Sequence, residues 1–138
     1  MLKREDIRIR DPFIYTDFEN ECYYMYGTTA LVKDKIAAKN TFSVFRSTDL
    51  ENFEEPKVIF DGSKCNFWAD RDFWAPELHK YNGKYYLFGS CKAENKRRAT
   101  HIFVCDTPGN TAEKWTYLYM PTFISIFNIA QFPHLCKR

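Results

Sequence analysis

Neither a disulfide framework nor a thiolate metal site is written into this chain. Its five cysteines, Cys22, Cys65, Cys91, Cys105 and Cys136, are odd in number and show no CxxC spacing. Free, reduced thiols are the expectation. Charge of one sign is lacking too: 20 basic and 18 acidic residues are interspersed to a net +2, so no field would draw nucleic acid or an anionic membrane. The single dense basic cluster, Lys96-Arg97-Arg98, lies near Glu94 and reads as a solvated loop rather than a phosphate-binding patch. The opening Met1-Leu2-Lys3-Arg4-Glu5-Asp6 has no apolar run after its basic residues and no small-residue cleavage site. No secretory signal is read there, and a cytoplasmic location is expected. Long helical periodicity is missing as well; Leu31 to Lys39 reads at most as a helical turn within a loop.

Aromatic residues are what the chain has in plenty. Its 13 Phe, 9 Tyr and 3 Trp make up 18% of 138 residues, a bias that favours strands and stacking surfaces over helical bundles. With 45% hydrophobic content the chain can bury one ordinary core. An all-β fold is predicted.

Two stretches carry the same features in the same order. The first runs Asp11-Pro12-Phe13-Ile14-Tyr15, Cys22-Tyr23-Tyr24-Met25-Tyr26-Gly27, Phe42-Ser43-Val44-Phe45-Arg46-Ser47 and Asp49-Leu50-Glu51-Asn52-Phe53. The second runs Ala75-Pro76-Glu77-Leu78-His79, Lys84-Tyr85-Tyr86-Leu87-Phe88-Gly89, Thr100-His101-Ile102-Phe103-Val104-Cys105 and Asp106-Thr107-Pro108 through Trp115. Matching positions lie roughly sixty residues apart, in the range of a four-stranded propeller blade with long loops. Asn82-Gly83 before Lys84-Tyr85-Tyr86 is the dipeptide that a type I′ hairpin needs, and Asp61-Gly62 marks the end of a fourth strand. A generic antiparallel meander would share these features.

Two segments could carry chemistry. Asp11 is read at the opening of a first strand, where Pro12 stops backbone pairing and Arg10 could help to hold the carboxylate ionised. In a propeller the innermost strand of each blade lines the central channel, so an acid there projects into a funnel. The alternative is that Asp-Pro is simply a turn. The second segment, Asn66-Phe67-Trp68-Ala69-Asp70-Arg71-Asp72-Phe73-Trp74-Ala75-Pro76-Glu77, gathers large aromatics and ionisable groups just before the first strand of the second unit. Indole faces cover the C–H side of a sugar ring while carboxylates and Arg bond its hydroxyls. Trp74 is read towards the pocket; Trp68 fits pocket or core equally, and Asp70, Arg71 and Asp72 could instead form a surface charge network.

Taken in order, Arg10-Asp11-Pro12-Phe13-Ile14, Tyr23-Tyr24-Met25-Tyr26-Gly27-Thr28-Thr29, Phe45-Arg46-Ser47-Thr48-Asp49-Leu50-Glu51-Asn52-Phe53 and the run from Phe73-Trp74-Ala75-Pro76-Glu77 to Leu87 resemble glycoside hydrolase family 43. The resemblance covers about residues 6 to 118. It implies a five-bladed β-propeller that hydrolyses arabinofuranosides, xylosides or related sugars with inversion, of which residues 1–118 are the first two four-stranded blades. By the same resemblance Asp11 is the general base that activates water and the Trp74-Ala75-Pro76-Glu77 segment lines the pocket near the sugar; Arg10, Phe13 and Trp68 are further candidates for sugar contact. No cofactor is implied, and the partner is an arabinose- or xylose-containing carbohydrate.

The family pattern continues with an Asp on a third blade and a general-acid Glu on a later one. Residues 119–138 contain no carboxylate and read as a divergent tail, too short and too polar to span a membrane. His134 and Cys136 alone do not make a metal site. Glu77 takes no acid role by strand alternation or by the family pattern. The expectation is therefore a partial hydrolase without its acid, with a non-catalytic carbohydrate-binding or scaffold propeller fragment as the alternative. Two blades cannot close a ring, so self-association through open edges is expected. WD40-like or kelch-like interaction propellers fit poorly, because their Trp-Asp and di-Gly signatures are absent.

Overall fold

The computed structural model describes residues 1–32, 35–36, 40–109 and 116–118. Each half of the chain forms its own antiparallel sheet. The first holds β1 (Leu2–Lys3), β2 (Ile7–Asp17), β3 (Cys22–Val32), β4 (Lys35–Ile36), β5 (Thr41–Ser47), β6 (Asn52–Phe53) and β7 (Lys57–Asp61), with one 3-10 turn at Arg4–Asp6. The second holds β8 (Arg71–Tyr81), β9 (Lys84–Ala93), β10 (Lys96–Cys105) and β11 (Thr116–Leu118). In the first sheet β2, β3, β5 and β7 pair in sequence order, and in the second β8, β9, β10 and β11 do the same. Two four-stranded meanders of this kind are two propeller blades, as the repeated motif order predicts.

Local chemistry explains several boundaries. Tyr81 pairs with Lys84, and the two residues between them, Asn82 at φ +47° and Gly83 at φ +74°, make the tight turn that Asn-Gly favours. Two further turns are closed by an aspartate. The Asp17 carboxylate accepts from the Glu19 and Asn20 N–H groups at 3.2 Å and from Asn20 Nδ2 at 2.8 Å. Asp49 repeats the device with Glu51, Asn52 and Asn52 Nδ2 at 2.8, 2.7 and 2.8 Å. Both turns read Asp-x-Glu-Asn, and short polar side chains that bond backbone two and three residues on are turn formers for that reason.

Three expectations are corrected. The segment from Leu31 to Lys39 is not helical where it is described: Leu31 pairs with both Arg8 and Ile36, and Val32 with both Ile7 and Lys35. Ladder bonds on both sides outweigh a weak local helical preference. Lys96-Arg97-Arg98 is not a loop but the start of β10, because the chain already turns at Glu94-Asn95. Nor do Asp11 and Ala75 open their strands. β2 begins at Ile7 and β8 at Arg71, each four residues earlier. Trp115, Cys136, His134 and the whole of 119–138 lie outside the described residues.

The core is shared between the blades. Tyr26, Phe42, Val44, Ile59 and Phe60 of the first pack with Phe73, Leu78, Leu87 and Phe103 of the second, with Phe67 and Ala69 filling in from the connection. Ring centroids of Phe60 and Phe103 stand 4.4 Å apart and those of Phe42 and Phe73 5.2 Å. Fully burying one such side chain is worth about 1.5–3 kcal/mol, so this aromatic seam is what holds blade to blade. Alternation sends Met25 and Phe45 to the opposite face of the first sheet, where Leu2 and Phe53 cover them. Tyr26 adds a polar tie across the seam: its buried hydroxyl donates to the Pro108 carbonyl at 2.8 Å.

Candidate active site

The innermost strands of the two blades share one irregularity. On β2 the pairing steps from Arg10–Thr28 to Phe13–Tyr26, so Asp11 and Pro12 stand opposite Gly27 alone. On β8 it steps from Trp74–Ser90 to Glu77–Phe88, so Ala75 and Pro76 stand opposite Gly89 alone. Both are β-bulges, two residues against one. The bulged residue lies at φ +50° for Asp11 and +47° for Ala75, and the following proline, which has no N–H, suits a position that the ladder has left unpaired. Each facing glycine is required by close approach. A Cβ at Gly27 would come within 2.6 Å of the Ile9 side chain, and one at Gly89 would collide with the Phe42 ring.

The two bulges are bonded to one another. The Ala75 N–H donates to the Thr28 hydroxyl at 2.8 Å, and Thr28 is the register partner of Arg10. Asp11, exposed in its bulge, therefore follows a residue pair that is anchored to the Trp74-Ala75 segment. Nearby on β2, the half-buried Phe13 ring meets His79 at 5.6 Å, and His79 Nε2 lies 3.6 Å from the exposed Glu77 carboxylate. Phe13 and Glu77 are thus brought to one cluster through His79.

The two tryptophans occupy different settings. Trp74 is 40% exposed and carries the Arg98 guanidinium 3.7 Å from its ring centroid. Arg98 is held in place by the Asp72 carboxylate at 2.8 Å, the Asp72 carbonyl at 3.0 Å and the Ser90 hydroxyl at 2.9 Å. Trp68 is half-buried against the shared core, donates from Nε1 to His101 Nε2 at 2.7 Å, and does not line the cleft beside Trp74. His101 is itself buried, which pulls its imidazole below the usual value, and its Nδ1 has no hydrogen-bond partner among the described residues. Asp70 and Arg71 pair with each other on the surface at 2.8 Å.

Thr28, Arg98 and His101 were not singled out as site residues by sequence. Their partners lie 47, 26 and 33 positions away, so no local spacing signals them. Among the described residues Cys22, Cys65, Cys91 and Cys105 form no disulfide, and burial pushes the Cys91 thiol up to about 12. Among the described residues no three of His, Cys, Asp and Glu cluster in a way that could hold a metal ion. No helix among them is long and apolar enough to cross a membrane.

Residues 6–126 match the model of the glycosyl hydrolases family 43. The chain belongs to this family. Among solved structures it is similar to an endo-arabinase from Bacteroides thetaiotaomicron VPI-5482 at 30% identity and a TM-score of 0.69, over 86% of this chain and 37% of that one. A thermostable family-43 glycoside hydrolase matches at 27% identity and a TM-score of 0.58, over 72% of this chain and 29% of that one. A family-43 β-xylosidase/α-arabinofuranosidase from a compost microbial metagenome, solved with xylotriose, matches at 19% identity and a TM-score of 0.65, over 88% and 38%. At that identity it speaks to the fold alone. No curated protein matches the sequence. The chain thus spans about a third of the length of its family-43 neighbours, which fits two blades of a five-bladed ring.

Proposed function

We propose that this chain forms the first two blades of an inverting glycoside hydrolase and supplies its water-activating carboxylate, Asp11. The observation that carries the reading is the bond from Ala75 to Thr28, which sets the Trp74-Ala75 segment beside the Arg10-Asp11 segment at equivalent bulges of adjacent inner strands. Asp11 accepts a proton from water as the water attacks the anomeric carbon on the face opposite the leaving oxygen. A second carboxyl group, roughly 6.5–9.5 Å from the first in inverting enzymes, protonates the leaving oxygen. In this reading it comes from blades beyond the third of the fold that the chain spans. In the same reading residues 1–118 supply the two blades and 119–138 are a divergent C-terminal tail in sequence.

Arg10, Phe13, Trp74 and Glu77 are proposed to contact the sugar, an arabinofuranoside or xyloside: Trp74 by the edge of its indole, since Arg98 lies over the ring, and Arg10 and Glu77 through hydroxyls; Trp68, tied to His101 against the core, is withdrawn from that set. The endo-arabinase neighbour, at 30% identity, supports the arabinose side of that substrate class. The open edges of the two sheets are proposed to associate with further blades or a second copy.

Aryl glycosides test the reading directly, since nitrophenolate leaves without protonation and so isolates the base. The chain is expected to release nitrophenol from aryl arabinofuranoside or xyloside, and Asp11→Asn to lower the rate about 10²–10⁴-fold. Equal release by both would remove Asp11 from catalysis. The alternative of a non-catalytic sugar-binding fragment draws on the same coverage of about one third; it requires no release by either protein together with retained sugar binding.

A further inference from the structure

On either side of β9, the neighbouring strands both bulge at the same level. Asp72 and Phe73 of β8 stand opposite Cys91 alone, with Asp72 at φ +57°. Arg97 and Arg98 of β10 stand opposite Lys92 alone. Bulges re-aim side chains and splay strands, and here they open a shallow cleft of about 540 Å³, within the roughly 300–1,000 Å³ range of small-molecule sites. Its floor is rigid, because Arg98 reaches across β9 to Asp72 by way of Ser90 while lying over Trp74.

The charges are unbalanced. Four cations and two carboxylates line the cleft. Arg98 answers Asp72 and Glu94 faces Arg71, but among the described residues Lys92, Lys96 and Arg97 have no carboxylate partner. A rigid, partly exposed indole beside uncompensated ammonium and guanidinium groups combines a stacking surface with charge-assisted donors for a planar carboxylate.

We propose that this cleft is a binding subsite for a carboxylated sugar, a uronosyl unit within a saccharide: its ring lies against Trp74, and its carboxylate is met by Arg97 and Lys92. The proposal rests on the glycosidase reading for taking a saccharide as the scaffold, and its position next to Ala75 would set a uronosyl unit beside the sugar bound near Asp11. It concerns binding, however, and is tested on the Asp11→Asn chain, so loss of hydrolysis leaves it standing.

Calorimetric titration of that chain compares a galacturonate trisaccharide with xylotriose and with inorganic phosphate. The uronate is expected to bind at least about tenfold more tightly than xylotriose, one ion pair's worth of affinity, and to weaken with added salt. Arg97→Ala and Lys92→Ala should each lose about that tenfold for the uronate while leaving the thermal midpoint unchanged. Equal affinity for acidic and neutral trisaccharides overturns the proposal, as does indifference to both substitutions. Phosphate that binds as tightly as the uronate also overturns it, since the cleft is then a general anion patch.

Discussion

Ala75 and Thr28 are joined by a 2.8 Å hydrogen bond that runs from the backbone bulge of one blade to a buried hydroxyl of the other. It is a polar contact across a seam that is otherwise largely aromatic. Removing the acceptor strands a backbone N–H where its strand partner does not serve it. Thr28→Val is expected to lower unfolding free energy by about 0.5–1.5 kcal/mol, the net worth of one hydrogen bond whose donor residue is exposed, and Thr28→Ser to restore most of it. Chemical denaturation of the three proteins checks this; a neutral Val variant would show that the bond contributes nothing net.

Gly89 and Phe42 make a second coupled pair. A methyl group at Gly89 meets the Phe42 ring, and overpacking of this kind costs about 1–3 kcal/mol. Gly89→Ala should therefore lower the melting temperature, and Phe42→Leu should cost less in that background than in the wild type. Strict additivity in the double-mutant cycle would place the strain elsewhere.

Acid should weaken the fold through His101. Its burial holds the folded pKa below the ordinary 6.5, so the unfolded state binds the proton first as pH falls. The stability associated with neutral His101 is complete above about pH 6.5 and declines as pH drops from there through the lower folded value. His101→Phe is expected to flatten the stability profile in this window, measured by denaturant midpoints between pH 7.5 and 5. A parallel slope in both proteins would exclude His101 as its source.

The two Asp-x-Glu-Asn turns should respond unequally. Asp17 is buried and accepts three hydrogen bonds, so Asp17→Ala is expected to cost about 1.5–3 kcal/mol, as for bonds to a charged group. Asp49 makes the same bonds in water, where solvent replaces them. Its carboxyl is nevertheless held well below the usual range, first by the Asn52 side chain and then by the Asn52 and Glu51 N–H groups. The small contribution of Asp49 is present above the ordinary carboxylate pKa and is lost as pH falls through the depressed one. Urea midpoints of Asp17→Ala and Asp49→Ala at neutral pH test the ranking, and a larger loss for Asp49→Ala would reverse it.

What could be read from sequence was what local chemistry decides. Asn82-Gly83 specifies its turn by φ alone, and the ordered Tyr-Tyr and X-Pro motifs mark strands whichever blade they occupy. What stayed hidden depends on distant partners. Arg98 looked like part of a solvated loop because Asp72, which binds it, is 26 residues away. Leu31 looked helical because the ladders formed by Arg8 and Ile36 on its two sides are set by tertiary pairing. Asp11 was legible as a candidate, but its left-handed backbone was not, since an aspartate before proline carries no sign that it sits mid-strand in a bulge.

That left-handed backbone recurs at Ala75, whose methyl group can neither take up a proton nor bind a sugar hydroxyl. An L-residue there costs about 1–2 kcal/mol wherever it occurs, and the inner strands bear the cost at both of their proline bulges. The twist at Asp11 therefore belongs to the way each spoke of the wheel is bent, not to the reaction. A kinked inner strand is the standing part of the design, and the side chain mounted on the kink is the interchangeable one.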